Sequence, residues 1–475
     1  MPIATMVGWA GDVLAELAMV IGGIVVLLYA LAAGPRRQVG AAWLALATTG
    51  VALALTIPAL GEPGRLTFAG TYAHDAAAAV ARVIVLLATG VTVAFSVPWF
   101  RRDPRHGEYY TLLLFGALGA MLLAGAAALT ELVVAMLMSS ATGFVLAAYH
   151  RKSSAAAEAA IKYYLVGALA NAAMLMGVAI LYGLAGVTTL DRLAAGLPDS
   201  ASPAASVAVA LVMVGLMFKL GAVPVHVWVP DVAQGAPAPI AGFLTAVPKV
   251  GAFVFLARLV LVLPPSALGW EVMVAVGAAA TMTLGNLACL WQDDVRRLLG
   301  WSAVSQTGYG LMAVAALGRS DLAMAALLYF LAAYVPANLA AFGVVVTLRG
   351  RTALTDYPGL ANEHPTAAAS LALSFLSFIG VPPLSGFVAK LLLFVVAIQA
   401  GLAWLAVIAA ANTVISIFYY VRVLAPVYFA AAAGRMRTLG AGAALATAAS
   451  AAVLVVTGVI AQPLVAAFAA ATPGR

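Results

Sequence analysis

The residues in this sequence best suited to chemistry are its lysines, because they are few and because of where they fall. The chain has 475 residues with five lysines against nineteen arginines, and Lys162, Lys219, Lys249 and Lys390 lie inside long apolar runs. An arginine stays charged under nearly any condition, whereas a desolvated lysine can exchange its proton near neutral pH. Each charge buried in a bilayer costs at least about 2.5–3.5 kcal/mol on insertion scales. Four together imply a hydrated path, and the chemistry such a path supports is proton exchange. One such lysine alone could pair with an acid or snorkel to the interface. Lys162, which opens its run, can still reach that interface.

Other titratable groups are sparse. His226 stands beside a proline- and glycine-rich break, where it either relays protons or caps free carbonyls. Glu131 is the one carboxylate away from predicted loops, and it begins its span after a tight turn. Asp231 is expected to cap the helix that follows the break, and Asp293 and Asp294 to serve a helix start. Arg82 lies well inside a span and needs a partner, while Arg258 and Arg422 suit structural anchoring. The lone Cys289 has no partner for a disulfide or a metal, and the remaining histidines lack metal-ligand spacing. No phosphate loop, dinucleotide fingerprint or haem motif occurs, so no cofactor, metal or redox centre is expected on this chain. Energy for pumping has to come from an ion gradient or from partner subunits.

The elements that must position these residues are membrane helices. The sequence is 65% hydrophobic and 9% charged, more apolar surface than a soluble core can hide. Loop signals divide it into about fourteen spans of about 20 residues or more. Loops after odd-numbered spans hold Arg36, Arg37, Arg101, Arg102, Arg105, Arg151, Lys152, Arg296, Arg297, Arg349, Arg351, Arg435 and Arg437. Even-numbered loops and the C-terminal tail hold only Arg65, Arg192, Arg319 and Arg475. This asymmetry puts the odd loops in the cytoplasm and both termini on the opposite side. It also accounts for the net charge of +7 without an acidic partner such as nucleic acid. The first apolar run lacks a basic leader, and so reads as a retained span.

Two spans are broken, one at Gly221-Ala-Val-Pro224 and one at Gly380-Val-Pro-Pro383. They fall at the same place in two five-span blocks, the pattern of two inverted repeats with the working site at the breaks. The expected fold is therefore an all-α polytopic membrane protein with two inverted five-helix repeats, each containing a broken helix. Its expected divisions are a three-helix segment over 1–108, repeats over 109–263 and 264–430, and a last span in 431–475.

Phe218-Lys219-Leu-Gly-Ala-Val-Pro-Val-His-Val-Trp-Val-Pro-Asp231-Val-Ala-Gln-Gly-Ala-Pro resembles the seventh-span region of subunit N of proton-pumping NADH:quinone oxidoreductase, respiratory complex I. Glu158-Ala-Ala-Ile-Lys162, Gly285-Asn286-Leu, Asp294-Val-Arg-Arg-Leu-Leu-Gly-Trp-Ser302 and Pro382-Pro-Leu-Ser-Gly-Phe-Val-Ala-Lys390 match in order and spacing. The Gln-Gly-Ala-Pro stretch favours subunit N over the sister subunits and multisubunit sodium/proton antiporters. The resemblance implies an antiporter-like subunit in the membrane arm, in a bacterial-type inner membrane beside a neighbouring antiporter-like subunit. FMN, iron–sulfur clusters and quinone would lie on partner subunits. Lys219, Lys249 and Lys390 would form a hydrated axis, with Lys162 modulating the first. A stand-alone or hydrogenase-linked cation/proton antiporter subunit and a scaffold with impaired pumping are the alternatives.

The sequence departs from that family at one point. The family's span-five glutamate, partner of the first lysine, aligns with Leu137. Glu131 precedes it by six residues, about 240° around the helix and about 9 Å along it. The acid for Lys219 is then Glu131 acting through water or a shifted helix, a residue of a neighbouring subunit, or missing.

Overall fold

The computed structural model describes residues 10–104, 106–150, 152–197, 202–264, 269–349, 351–431 and 438–471. Arg105, Arg151, Arg435, Arg437 and Arg475 of the charge asymmetry lie outside the described residues. The long apolar runs form helices because bilayer-facing backbone must satisfy its hydrogen bonds internally. In chain order these are α1 Leu14–Ala32, α2 Val39–Thr56, α3 Ala76–Trp99, α4 Gly107–Gly125, α5 Leu129–Ala147 and α6 Ser154–Ala185. A short α7 Leu190–Gly196 precedes α8 Pro203–Leu220, α9 Trp228–Gly235, α10 Ala238–Val262, α11 Trp270–Cys289, α12 Val295–Ala316 and α13 Ala323–Thr347. After the one-turn α14 Leu360–Glu363 come α15 Pro365–Ile379, α16 Ser385–Gln399, α17 Ala403–Phe429, α18 Ala441–Val459 and α19 Ala461–Ala470. A small hairpin, β1 Arg65–Thr67 with β2 Tyr72–His74, joins α2 to α3.

Among the described residues, twelve helices are long and apolar enough to cross a bilayer. The two other expected passes are α12, full-length but carrying Arg296, Arg297 and Gln306, and the α15–α16 pair, two halves of 15 residues each. With these counted as passes, α4–α10 and α11–α17 make five each. Five is odd, so the second block starts on the opposite face, which is what inverts the repeat.

The breaks have the same backbone chemistry. Gly221 at φ +71° and Gly380 at φ +93° adopt the left-handed conformation that glycine takes without steric cost. The N–H of the following residue then reaches back five residues, Ala222 to the Met217 carbonyl at 2.8 Å and Val381 to the Leu376 carbonyl at 2.9 Å. Both are Schellman-type helix ends. Each is followed by a cis X-Pro bond, Val223–Pro224 and Pro382–Pro383.

The interior seam is α10, whose apolar stretch is wholly buried, packed on the nearly as buried α13. A Cβ at Gly251 of α10 would lie 2.1 Å from the Ala120 carbonyl oxygen, so glycine is what lets α10 and α4 meet backbone to backbone. Buried ion pairs tie α1 and α3 to this seam. Arg258 on α10 donates two hydrogen bonds to Asp75, at 2.6 and 2.7 Å, and Asp75 also caps α3. Arg82 finds its partner on α1: its Nε lies 2.6 Å from Glu16, and Tyr72 bonds both groups. Arg422 anchors α17 to Asp293 at 2.6 Å, and Asp294 caps α12.

The structure corrects one expectation. Asp231 does not cap α9, whose N-cap is Val227 with no side-chain bond. Cations from two other helices, Lys162 and Arg297, have drawn its carboxylate instead.

Gly251→Val should force α4 and α10 apart and destabilise the subunit by about 1–3 kcal/mol. The expected result is a lower thermal midpoint of the detergent-purified protein, and an unchanged midpoint would show that the close approach is not needed.

Candidate functional site

Lys219, in the last turn of α8, is 1% exposed. A helix C-terminus carries partial negative charge from its unpaired carbonyls, a favourable place for an ammonium. Its Nζ donates to Ser140 Oγ on α5 at 2.8 Å. Lys249, at the centre of α10, is equally buried and donates to the Ala303 carbonyl at 2.7 Å and to Thr307 Oγ1 at 2.8 Å, both on α12. Thr307 Oγ1 in turn donates to the Leu220 carbonyl at 2.8 Å, one residue from Lys219. The first two lysines are thus joined through one threonine and the broken end of α8.

Lys390 repeats the theme at the second break. Its Nζ donates to the Ile379 carbonyl, the last of α15, at 3.2 Å and to Thr413 Oγ1 at 3.3 Å. It also sits 4.2 Å from the centre of the Tyr309 ring. The preceding carbonyl, Phe378, accepts from Gln306 Nε2 at 3.3 Å. Adjacent residues of α12 therefore serve the two breaks, Gln306 the second and Thr307 the first. A cavity of about 10 Å³, room for one water, is lined by Lys390, Gln306 and Tyr334. The centre of the Tyr334 ring also lies 5.6 Å from Lys249 Nζ. Among the described residues no carboxylate forms an ion pair with Lys219, Lys249 or Lys390; neutral oxygens and ring faces hold all three.

The remaining candidates lie apart from this line. Lys162 is half-exposed and paired with Glu158 at 2.7 Å and Asp231 at 3.0 Å; Asp231 also binds Arg297. Glu131 accepts from Thr130 at 2.8 Å and lines a separate cavity of about 400 Å³ with Glu16 and Tyr72, so the fold does not bring it to Lys219. His226 is buried in the first break, where its ring lies 5.5 Å from the Trp301 ring. Leu137 is 43% exposed on the outer side of α5. Sequence reasoning missed Ser140, Gln306, Thr307, Tyr334 and Thr413. Their only signal is a polar side chain inside an apolar run, which many structural residues share.

Residues 126–416 match the family described as NADH:quinone oxidoreductase/Mrp antiporter, transmembrane region. The chain belongs to that family. It is 41% identical over 87% of its length to the NADH-quinone oxidoreductase subunit N of a Mycobacterium species, covering 88% of that relative. It is 43% identical to subunit N 1 of Streptomyces griseus, over 83% of each chain. A chain of respiratory complex I from Thermus thermophilus, solved with bound aureothin, superposes with a TM-score of 0.83 at 30% identity. That match covers 96% of this chain and all of the other. As a family member the chain is an antiporter-like, proton-translocating subunit, and the buried lysines fall within the matched region.

Thr307→Val keeps the shape of the side chain but removes an acceptor from Lys249 and a donor from the Leu220 carbonyl. Leaving two buried groups short of a partner should destabilise the subunit by about 1–3 kcal/mol, seen as a lower thermal midpoint, whereas Thr307→Ser should stay near wild type.

Proposed function

We propose that Lys219, Lys249 and Lys390 form the proton-transfer axis of this subunit. The observation that carries the proposal is that three buried amines stand at two equivalent helix breaks with no carboxylate to fix their charge, stitched together by Thr307 and Gln306 of α12. An amine held only by neutral oxygens can be charged or neutral without leaving an unpaired buried anion. Lys219 holds a proton and exchanges it as a neighbouring charge changes, Lys249 passes it along the axis, and Lys390 exchanges it with the opposite side. Lys162 modulates Lys219 from the cluster it forms with Asp231 and Arg297. Ser140 is the α5 side chain that answers Lys219 in place of a carboxylate at Leu137. Glu131 takes part only if water links its cavity to the axis, and His226 is a relay at the first break on the same condition.

In this reading the subunit works inside a respiratory NADH:quinone oxidoreductase of a bacterial cytoplasmic membrane, against a neighbouring antiporter-like subunit, with both termini on the non-cytoplasmic side. Residues 1–108 form the N-terminal three-helix segment, 109–263 and 264–430 the two repeats and 431–475 the last span. Electron transfer takes place on partner subunits carrying FMN, iron–sulfur clusters and quinone, and this chain has no redox centre. The family also includes Mrp-type antiporters. A sodium route needs several oxygen ligands around the ion, however, and a line of amines repels it when protonated, so the axis favours protons. The scaffold alternative draws on Leu137, the position at which the resemblance to subunit N implies an acid.

Lys219→Ala and Lys390→Ala in the assembled complex should each slow proton transfer through this subunit about a hundredfold or more, measured as protons pumped per electron in sealed vesicles. Unchanged pumping in both would leave the scaffold. Glu131→Gln should pump normally, and a loss equal to that of Lys219→Ala would make Glu131 the missing acid.

A further inference from the structure

Lys390 stands among three acceptors, which matches the three hydrogens of an ammonium. Its Nζ donates to the Ile379 carbonyl at 3.2 Å and to Thr413 Oγ1 at 3.3 Å, and the centre of the Tyr309 ring lies 4.2 Å away. At that distance an aromatic face attracts a cation. The charged amine is therefore served without a carboxylate. The neutral amine has a different need, because losing the proton uncovers a lone pair that calls for a donor. A carbonyl and a ring face have no hydrogen to offer. Thr413 has one.

That hydrogen is donated to the Ala409 carbonyl, 3.0 Å away and one turn back along α17. The hydroxyl of Tyr309, on α12, completes the arrangement. It lies 3.0 Å from Thr413 Oγ1 and 3.2 Å from the same Ala409 carbonyl. Two hydroxyls thus share one carbonyl, and either can occupy it while the other turns elsewhere. The Tyr309 side chain is fully buried, so its hydroxyl depends on these partners.

We infer that Thr413 and Tyr309 form a hydroxyl switch that lets Lys390 keep its hydrogen bonds in both protonation states. The inference rests on the reading of Lys390 as a proton-exchanging amine and adds two positioning residues to it. With the amine charged, Lys390 and Tyr309 both donate to Thr413, whose oxygen has two lone pairs, and Thr413 donates to Ala409. When the proton leaves, Thr413 turns its hydrogen to the amine lone pair and Tyr309 turns its own to the Ala409 carbonyl. Only hydroxyl rotation is involved: no O–H bond breaks, and neither side chain takes a charge. The exchanged proton is the one Lys390 passes in the axis above, and the switch carries none. A buried group left without its partner is costly, so a lysine satisfied in one state alone would exchange slowly.

The test uses the assembled complex in sealed vesicles and reads the rate of proton pumping under electron transfer. Thr413→Val keeps the shape of the side chain and removes the hydroxyl, which should slow pumping about tenfold or more. Thr413→Ser keeps the hydroxyl and should restore the rate; a loss equal to that of Thr413→Val overturns the switch. Tyr309→Phe leaves the ring face and the Lys390–Thr413 bond in place and takes away only the second hydroxyl. It should slow pumping about threefold or more, the worth of one ordinary hydrogen bond. A threonine that merely anchors the ammonium leaves Tyr309→Phe at the wild-type rate, so that result also overturns the switch. Wild-type pumping in Thr413→Val, alongside impaired pumping in Lys390→Ala, overturns the switch and leaves the axis standing. Wild-type pumping in Lys390→Ala overturns both. Should Thr413→Val fail to assemble, Tyr309→Phe decides by the same criteria.

Discussion

An ammonium group removed from water needs oxygen partners, and the way this protein supplies them shapes the rest of the structure. A carboxylate would bind each amine tightly but would itself be a buried charge, costly whenever the lysine lost its proton. The protein uses interrupted helices instead. Ending a helix inside the membrane frees several carbonyls, and such groups are tolerated only where something donates to them. The α8 end is served by the Gly221 and Ala222 N–H groups, the Trp228 indole and Thr307; the α15 end by backbone N–H groups, Gln306 and Lys390 itself. Each break is therefore both a demand for donors and a source of partial negative charge. Lys390 answers the first directly, and Lys219, in the last turn of α8, draws on the second.

The two breaks are equivalent in backbone but not in charge. Lys219 stands two residues before Gly221, where the second break has Phe378 before Gly380. Lys390 stands ten residues after Gly380, where the first break has Asp231 after Gly221. One lysine thus lies in the helix half that ends at the break, and the other reaches back to it from the half that follows. The repeat supplies the carbonyls twice; Lys390 donates to one directly, whereas Lys219 sits in the last turn of α8 and donates to Ser140. Asp231, at the position that mirrors Lys390, has become the acid that gathers Lys162 and Arg297.

Away from the axis, buried charge is handled in the ordinary way. Arg82 with Glu16 and Arg258 with Asp75 are short pairs that hold α1 and α3 against the seam. They satisfy charge permanently, as structural pairs must. The contrast with the three unpaired lysines separates charges that hold helices together from charges free to change.

Much of this was legible in the sequence, for physical reasons. Apolar runs longer than a bilayer is thick have one stable outcome, so the helices and the breaks at Gly221–Pro224 and Gly380–Pro383 could be read directly. So could the three buried lysines, because lysine is rare enough in such runs to stand out. Tertiary structure alone decided which oxygens meet those lysines. Ser140, Thr307 and Thr413 are neutral residues on three different helices, and no local pattern marks them as partners. Tertiary structure also turned Asp231 from an expected cap into an ion-pair hub and kept Glu131 in a cavity that Lys219 does not line. Helix formation is set by local hydrogen bonding and hydrophobicity, which a sequence carries. Partnership across helices depends on how each rotates against its neighbours, and contacts such as Gly251 on Ala120 set that rotation from far along the chain.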